Sequence, residues 1–243
     1  MSDPIRELFD LTDRVAVVTG GARGIGRALS LGLAQAGADV VIASRNLANC
    51  EEWAAAVADR TGRRTWARPL HVGHWEEIAP FADAVWEACG AVDVLVNNAG
   101  MSPLYDDLRG VTEEYWDKVV GVNLKGPFKM TVEFGSRMFD GDGGSIVNVS
   151  TLASLDPRPD TIPYGAAKAG LNVMARGFVK AWGSKVRVNT VVPGAFLTDV
   201  SRSWAEIPDD VGRPEEMVGA VVYLASDAAS YTTGAQVRVA GAH

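Results

Sequence analysis

A tyrosine and a lysine stand four residues apart in the second half of this 243-residue chain, at Tyr164 and Lys168. Four residues are about one turn of an α-helix, so the phenol and the ammonium group would share a helical face. A free tyrosine has a pKa near 10, and half-ionising it at neutral pH costs about 4 kcal/mol. A neighbouring lysine cation favours the phenolate. The pair therefore predicts a group that exchanges a proton with a carbonyl or alcohol.

A glycine-rich turn lies about 140 residues before that pair. Gly20, Gly24 and Gly26 follow an apolar run at residues 15–19 and open a helical pattern. In this context the glycines permit a tight turn, close approach to a pyrophosphate, and close packing of helix on strand. Backbone N–H groups at the helix start, around Arg23 and Ile25, would hold the phosphates. A dinucleotide site together with a proton donor predicts hydride transfer.

The end of the second predicted strand indicates which dinucleotide binds. An NAD-binding chain usually carries an acidic residue there, about 20 residues after the glycines, to bind the ribose 2′-hydroxyl. This chain has Ser44, Arg45 and Asn46 instead. The guanidinium of Arg45 suits a 2′-phosphate, with Ser44, Asn46 and Arg23 assisting. The sequence favours NADP (NADPH) over NAD, unless Arg45 is simply a solvated residue.

Short apolar runs alternate with helical patterns along the whole chain, which predicts an α/β fold with a doubly wound parallel sheet of about seven strands. The predicted strands are residues 15–19, 39–43, 65–70, 92–97, 145–149, 186–192 and 236–239. The predicted helices are residues 25–36, 47–60, 76–88, 112–138, 164–181 and 214–224. We expect one domain over residues 1–243, with ligands at the carboxyl ends of the strands.

Composition excludes several classes of protein. A net charge of −7 and a pI near 5.0 argue against a nucleic-acid partner. No apolar run is long enough to span a membrane, and the start of the chain lacks a signal-peptide pattern. Cys50 and Cys89 form no framework, which favours reduced thiols in a cytoplasmic protein. His71 and His74 have no further ligands nearby, so no metal site is expected.

Five motifs occur in the order and spacing of the short-chain dehydrogenase/reductase family, which the chain resembles from about residue 8 to residue 241, in its 3-oxoacyl reductase type. They are Thr19-Gly20-x-x-x-Gly24-Ile25-Gly26, Asn97-Asn98-Ala99-Gly100, Asn123, Tyr164-x-x-x-Lys168 and Pro193-Gly194. The resemblance implies a Rossmann-type sheet. It also implies hydride transfer between NAD(P) and the carbon of a ketone or secondary alcohol.

The resemblance also implies the roles of individual residues. Tyr164 is similar to the family's general acid/base, and Lys168 to the residue that lowers its pKa and binds the nicotinamide ribose. Asn123 matches an asparagine that holds a water on a proton path. Where the family places a serine, the chain has Thr151, with Ser150 as the alternative. The remaining cofactor contacts implied are Val72 through its backbone, Asn97, Ala99, Gly100, Pro193, Gly194 and Thr198.

The substrate is less defined by the sequence. Residues 101–105 and 152–163, with Phe196 and Trp204, predict an apolar cleft, while Arg158 and Arg202 are candidates for an acidic group. Residues 199–212 predict a short substrate lid, and the usual acidic-glycine-glycine turn after the last strand is missing. 3-Oxoacyl thioesters, sugar acids and cyclic ketones all remain open as substrates.

The predicted function is therefore an NADP(H)-dependent oxidoreductase acting on a small-molecule carbonyl or alcohol. The alternative is a catalytically weak NADP-binding sensor or interaction protein on the same fold, favoured by Thr151 and the short lid. A dehydratase or epimerase is disfavoured, because the extra substrate domain of such enzymes is missing. The family resemblance implies a homotetramer or homodimer, formed through helices predicted at residues 112–138 and 164–181.

Overall fold

Seven parallel strands form one sheet in the order β3-β2-β1-β4-β5-β6-β7 in a computed structural model, which describes residues 3–198 and 211–242. The strands are β1 Val15–Thr19, β2 Asp39–Ser44, β3 Thr65–Pro69, β4 Val94–Asn97, β5 Gly144–Val149, β6 Val186–Pro193 and β7 Gln236–Val239. The strand order reverses between β1 and β4, so the sheet is doubly wound. The predicted fold class is confirmed.

Helices cover both faces of the sheet. They are α1 Pro4–Phe9, α2 Gly24–Gln35, α3 Leu47–Thr61, α4 Trp75–Cys89, α5 Glu113–Val120, α6 Gly126–Asp140, α7 Ile162–Trp182 and α8 Val218–Ala225. One buried cluster packs α2, α3 and α8 against the sheet, and a second packs α4, α6 and α7 against it. In the described part of the chain, no helix combines the length and apolarity that crossing a membrane requires.

The predicted strands all form, with boundaries that shift by at most two residues, as at β4, predicted from residue 92 and observed from Val94. Helix α1 was not predicted. It is six residues long and is capped by Asp3, whose side chain accepts a 3.1 Å hydrogen bond from the Ile5 amide. A helix of this length carries too little periodicity to be found in a sequence.

The long helix predicted at residues 112–138 is wrong in one respect, because a π-helical turn, Gly121–Lys125, separates α5 from α6. Its wide turn is closed by the Gly126 amide, which donates to the Gly121 carbonyl. Such turns insert one extra residue into a helix and often occur at functional sites. The helix predicted at residues 214–224 likewise starts as a 3₁₀ turn, Pro214–Met217, before α8.

The carboxyl ends of the central strands meet at one edge of the sheet. Register places Val18 of β1 beside Val96 of β4, and Val149 of β5 beside Val191 of β6. The segments that follow these strands therefore emerge side by side. They carry the glycine turn, the loop after Asn97 and the segment that begins at Ser150.

Close packing of α6 on the segment after β3 depends on Gly126. A Cβ atom added there would lie 2.0 Å from the Val72 carbonyl oxygen, which belongs to the backbone and cannot rotate away. We expect Gly126→Ala to lower the free energy of unfolding by about 1–3 kcal/mol, because the helix must shift outward. Urea denaturation measures this directly.

Gly177→Ala is the matched control. Gly177 also lies in a helix, α7, but an added Cβ would meet nothing within 4 Å. There the alanine should raise stability by about 0.5–1 kcal/mol through helix propensity alone. Equal effects of the two substitutions would contradict the packing described for Gly126.

Candidate active site

The glycine turn after β1 has the backbone geometry that its sequence predicts. Gly20 and Gly24 have φ values of +65° and +52°, in the left-handed region that favours glycine. A Cβ on Gly26 would lie 2.1 Å from the Gly20 carbonyl oxygen, so a side chain there would force the turn open. The turn brings the chain tightly from β1 into α2.

The turn is held to β4 by a residue that the sequence analysis did not single out, Asn98. Its Nδ2 donates to the carbonyls of Thr19 (2.8 Å) and Gly20 (3.3 Å), while its own amide and that of Ala99 donate to the Thr19 hydroxyl, each at 3.0 Å. These bonds join the ends of β1 and β4. The position of Asn98 within the Asn97–Gly100 motif was the available signal.

Asn97 does not face the same space as its neighbour. Its side chain is 1% exposed, and Nδ2 donates to Thr131 of α6 at 3.0 Å and to Asn148 of β5 at 2.9 Å. Successive residues of a strand point to opposite faces of the sheet. The Asn97 side chain therefore points to the face opposite the one on which Asn98 contacts the glycine turn. The Asn97 side chain thus ties β4 to α6 and β5, and its predicted place among the cofactor contacts stays a prediction.

The start of α2 fits a dinucleotide phosphate. Its first residue follows Arg23, and no side chain caps the helix, so its leading N–H groups have no side-chain acceptor. Thr198, which follows β6, lies against the glycine turn, since a Cβ on Gly24 would be 3.5 Å from the methyl carbon of Thr198. A helix start with uncapped N–H groups beside a glycine cradle suits an anion such as a pyrophosphate.

At the end of β2, two of the three predicted residues have side chains that contact neighbouring residues of the chain, and the third carries an exposed charge. Asn46 caps α3 by accepting a 3.1 Å bond from the Asn49 amide, and the Ser44 hydroxyl lies 3.0 Å from the Cys50 sulfur. Arg45 is exposed and forms no ion pair or side-chain hydrogen bond with the described residues. The guanidinium is therefore the group at this strand end that remains available to an anion.

Next to Arg45, the segment after β3 is shaped by packing. Val72 is 7% exposed, and its carbonyl faces α6 at the point where Gly126 permits close approach. His71 accepts a 3.1 Å bond from the Gly73 amide at Nδ1 and stacks on His74 at 4.0 Å. Within residues 3–198 and 211–242, no three potential ligands group around a metal position.

Helix α7 places Tyr164 and Lys168 at the carboxyl end of β5. Lys168 is 2% exposed, and its Nζ donates a 2.7 Å hydrogen bond to the carbonyl of Val149, the last residue of β5. Tyr164 faces Thr151, two residues beyond the strand, and this neighbour lowers the pKa of the phenol. Gly165 allows this contact, since a Cβ there would lie 2.5 Å from the Ala153 carbonyl oxygen.

Shielding from solvent determines the ionisation of both groups. It raises the pKa of Tyr164, and the neighbouring Thr151 hydroxyl opposes that rise. It lowers the pKa of Lys168 to about 8. Burial of the phenol is the larger of these two effects, and the lowering by Lys168 that the sequence analysis expected stays a prediction. Tyr164 therefore holds its proton at neutral pH.

Asn123 lies in the π-helical turn and is fully buried. Its Nδ2 donates to the carbonyls of Met101 (2.8 Å) and Val119 (2.9 Å), and its Oδ1 accepts from the Met101 amide at 3.2 Å. Both N–H groups of the side chain are thus used by the backbone. A Cβ on Gly100 would lie 3.1 Å from this Oδ1 and 3.6 Å from Lys168 Nζ, so Asn123 and Lys168 converge on Gly100.

Ser150 points away from Tyr164. It is 2% exposed, and its hydroxyl donates to Ser154 at 3.2 Å and to the Lys168 carbonyl at 3.5 Å. Ser154 in turn donates to the Thr151 carbonyl at 2.6 Å and accepts from Asn172 at 2.9 Å. Of the two candidates for the family's serine position, Thr151 is the one whose hydroxyl meets Tyr164.

Three segments were predicted to line the substrate cleft: residues 101–105, residues 152–163 and the segment around Phe196. The first two are joined by the Tyr105 hydroxyl, which bonds to residues 159 and 162. Phe196 pairs with Gly212, whose amide donates to the Ala195 carbonyl (2.9 Å) and whose carbonyl accepts from the Leu197 amide (2.8 Å). Most of the lid expected at residues 199–212, with Arg202 and Trp204, lies outside the described residues.

Two further predicted site residues take other partners. Arg158 is paired with Asp160, to which its Nε donates at 3.0 Å, so its charge is not free for an acidic substrate group. Gly194 follows Pro193 and donates to the Val239 carbonyl at 3.0 Å, which fixes the end of β6 to β7. A Cβ on Gly194 would lie 3.0 Å from Ala240 Cα, so the approach is close.

Residues 14–208 match the family model for short chain dehydrogenases. This chain belongs to the short-chain dehydrogenase/reductase family. It is accordingly an oxidoreductase that uses NAD(P) and acts on CH–OH or C=O groups of small molecules.

Known short-chain dehydrogenases resemble this one over nearly its whole length. It is 35% identical to the short chain dehydrogenase/reductase astE of Aspergillus oryzae, over 95% of each chain. It is 32% identical to an NAD-dependent glycerol dehydrogenase of Listeria innocua, over 97% of this chain and 95% of the other. A 3-oxoacyl (acyl-carrier-protein) reductase of Agrobacterium tumefaciens, solved with NADP bound, superposes with a TM-score of 0.91 at 27% identity, covering 98% and 97%.

The depressed pKa of Lys168 makes the stability of this dehydrogenase depend on pH. Unfolding returns that pKa from about 8 to its ordinary value of 10.5, so between these pH values the unfolded chain binds more protons. The free energy of unfolding therefore rises with pH in this window, by up to about 1.4 kcal/mol per pH unit from this group. Lys168→Met should lose that contribution.

The measurement is urea unfolding of the cofactor-free wild type and Lys168→Met at pH 7, 8, 9 and 10, since the difference between the two proteins isolates Lys168 from other titrating groups. The free energy of unfolding of the wild type should rise relative to that of the variant as the pH rises above about 8. A constant difference across this range would show that Lys168 titrates normally in the folded protein.

Proposed function

We propose that this protein is an NADP(H)-dependent oxidoreductase that interconverts a ketone and a secondary alcohol, with Tyr164 as the general acid/base. The observation that carries the proposal is that Tyr164 faces Thr151 beside the buried Lys168, whose Nζ is bonded to the end of β5. These groups stand at the edge of the sheet where the glycine turn also lies. A protonated phenol beside a dinucleotide cradle can give its proton to a ketone oxygen.

Each side chain then has a defined task. Tyr164 donates its proton to the carbonyl oxygen, and the Thr151 hydroxyl holds that oxygen in place. Lys168, whose Nζ lies next to Gly100, binds the nicotinamide ribose. Asn123 fixes the loop that contains Gly100 through its bond to the Met101 amide. Bound NADPH supplies the hydride. The protein's contribution is positioning together with a proton donor, the latter worth about 10²–10⁴-fold in rate.

The remaining cofactor contacts follow from the same arrangement. The turn and the start of α2 hold the pyrophosphate, and the segments after β3, β4 and β6 line the rest of the site. The residues that we assign to these segments are Gly20, Arg23, Gly24, Ile25, Gly26, Val72, Ala99, Gly100, Pro193, Gly194 and Thr198.

NADP is favoured over NAD because Arg45, at the end of β2, is exposed and pairs with none of the described residues, and because residues 44–46 include no carboxylate. The similar reductase of Agrobacterium tumefaciens binds NADP, while the glycerol dehydrogenase of Listeria innocua is NAD-dependent. The family therefore accommodates both cofactors, and the choice rests on local charge. A guanidinium favours the 2′-phosphate.

Binding of NADPH and NADH should differ accordingly. We expect NADPH to bind at least about tenfold more tightly, or 1.4 kcal/mol, and Arg45→Ala to remove most of that difference by weakening NADPH alone. Arg6→Ala, which removes an exposed arginine of α1, is the control and should change neither affinity. Fluorescence titration of each purified protein decides the matter, and equal affinities in the wild type would assign Arg45 to solvent.

Replacing Tyr164 tests the acid/base role. Tyr164→Phe removes only the hydroxyl, so turnover should fall by about 10²–10⁴-fold while NADPH affinity changes less than about twofold. Tyr231→Phe removes the hydroxyl of a fully exposed tyrosine and should behave as wild type. A panel of ketones with NADPH, followed by loss of nicotinamide absorbance, provides the assay. A Tyr164→Phe enzyme with more than about a tenth of wild-type turnover would refute the role.

We further propose a homotetramer or homodimer assembled through α5, α6 and α7. These helices expose large apolar side chains, among them Trp116, Phe128 and Val173, with exposed fractions of 44%, 38% and 58%. Gly170 does not serve this surface, because an added Cβ would contact Leu124 of the same chain at 2.9 Å. A second copy covering the helices would remove this apolar area from water.

A further inference from the structure

The Tyr105 hydroxyl is inserted into the backbone turn that leads into α7. It donates to the Pro159 carbonyl at 2.7 Å and accepts from the Ile162 amide at 3.2 Å. Residues 159 and 162 are separated by three positions, the spacing at which a carbonyl and an amide bond directly in a 3₁₀ turn. Both groups belong to the 3₁₀ turn Pro159–Thr161 and the residue that follows it, so the tyrosine hydroxyl ties this turn to the loop after β4.

The turn lies next to the proton donor. Ile162 is the first residue of α7, and its amide is one of the leading N–H groups for which a helix has no internal partner. Tyr164 is two residues further along, in the same first turn. The direction in which α7 starts, and with it the position of the Tyr164 hydroxyl beside Thr151, therefore depends on how this amide is bonded.

Tyr105 itself is held by a well-anchored loop. The loop starts at Met101, which is bonded to Asn123, and continues to Pro103, whose carbonyl accepts from the Tyr115 hydroxyl of α5. The rings of Tyr105 and Tyr115 meet edge to face at 5.6 Å. These contacts fix the position of the Tyr105 hydroxyl, and its two hydrogen bonds therefore fix the position of the turn before α7.

We propose that Tyr105 is a positioning residue for Tyr164, acting through the Pro159 carbonyl and the Ile162 amide at the start of α7. The proposal rests on the acid/base role proposed for Tyr164. Tyr105 connects two of the segments that form the cleft, the loop after β4 and the start of α7. Without the hydroxyl, the Pro159 carbonyl and the Ile162 amide would lose their shared partner, and the first turn of α7 would be free to move relative to Thr151.

The test is Tyr105→Phe, which removes the hydroxyl and keeps the ring. Tyr231→Phe is the control, because it removes the hydroxyl of a fully exposed tyrosine that takes no part in this loop or turn. For each protein, the pKa of Tyr164 is measured without cofactor from tyrosinate absorbance. Each titration is compared with that of the same protein carrying Tyr164→Phe in addition, so that the difference isolates one tyrosine.

We expect a higher pKa of Tyr164 in Tyr105→Phe, because the contact with Thr151 that lowers this pKa is weakened when the first turn of α7 moves. Cyclohexanone reduction should show about tenfold lower kcat with NADPH affinity unaltered. Tyr231→Phe should match the wild type in the Tyr164 pKa and in kcat.

An unchanged Tyr164 titration in Tyr105→Phe would overturn the positioning role, as would equal effects of the Tyr105 and Tyr231 substitutions. Failure of the proposed function gives a different result, since Tyr164→Phe would then keep its turnover whatever Tyr105 does. Thermal unfolding of Tyr105→Phe close to that of the wild type confirms that the comparison is between folded proteins.

Discussion

The buried ammonium of Lys168 is the constraint around which the site is arranged. A cation removed from water needs nearby oxygen atoms, and the end of β5 provides one through the Val149 carbonyl. This bond ties α7 to the sheet at the level where Thr151 leaves the strand. Tyr164, one helical turn earlier, is thereby brought to Thr151, and Gly100 must lack a side chain because Lys168 and Asn123 already fill its surroundings.

The π-helical turn is the second element of this arrangement. It turns Asn123 inward, where the side chain bonds to the Met101 backbone in both directions. The loop after β4 is thus fixed from beneath, and Gly126 follows directly, permitting α6 to approach Val72. The π-helical turn therefore fixes the loop after β4 through Asn123 and brings α6 against the segment after β3 through Gly126.

Much of the fold was predictable because its signals are local. The buried strands are continuous apolar runs, and the glycine turn is required by backbone sterics at Gly20 and Gly24. The π-helical turn was not predictable, since its residues have the same periodicity as the flanking helices. The roles of Asn97 and Asn98 depended on where β4 ends, because one residue of offset exchanges the two faces of a strand. The pKa of Tyr164 depended on burial, which neighbouring residues in the sequence do not specify.

The pairing of Phe196 with Gly212 has a consequence for how this enzyme can diversify. The backbone is already closed at that point, so the fold beneath is complete whatever length of chain is inserted between the two residues. Doubling the length of a flexible loop costs only about 0.6 kcal/mol in closure entropy. Descendants of this protein can therefore acquire longer or shorter insertions here at a small cost in stability.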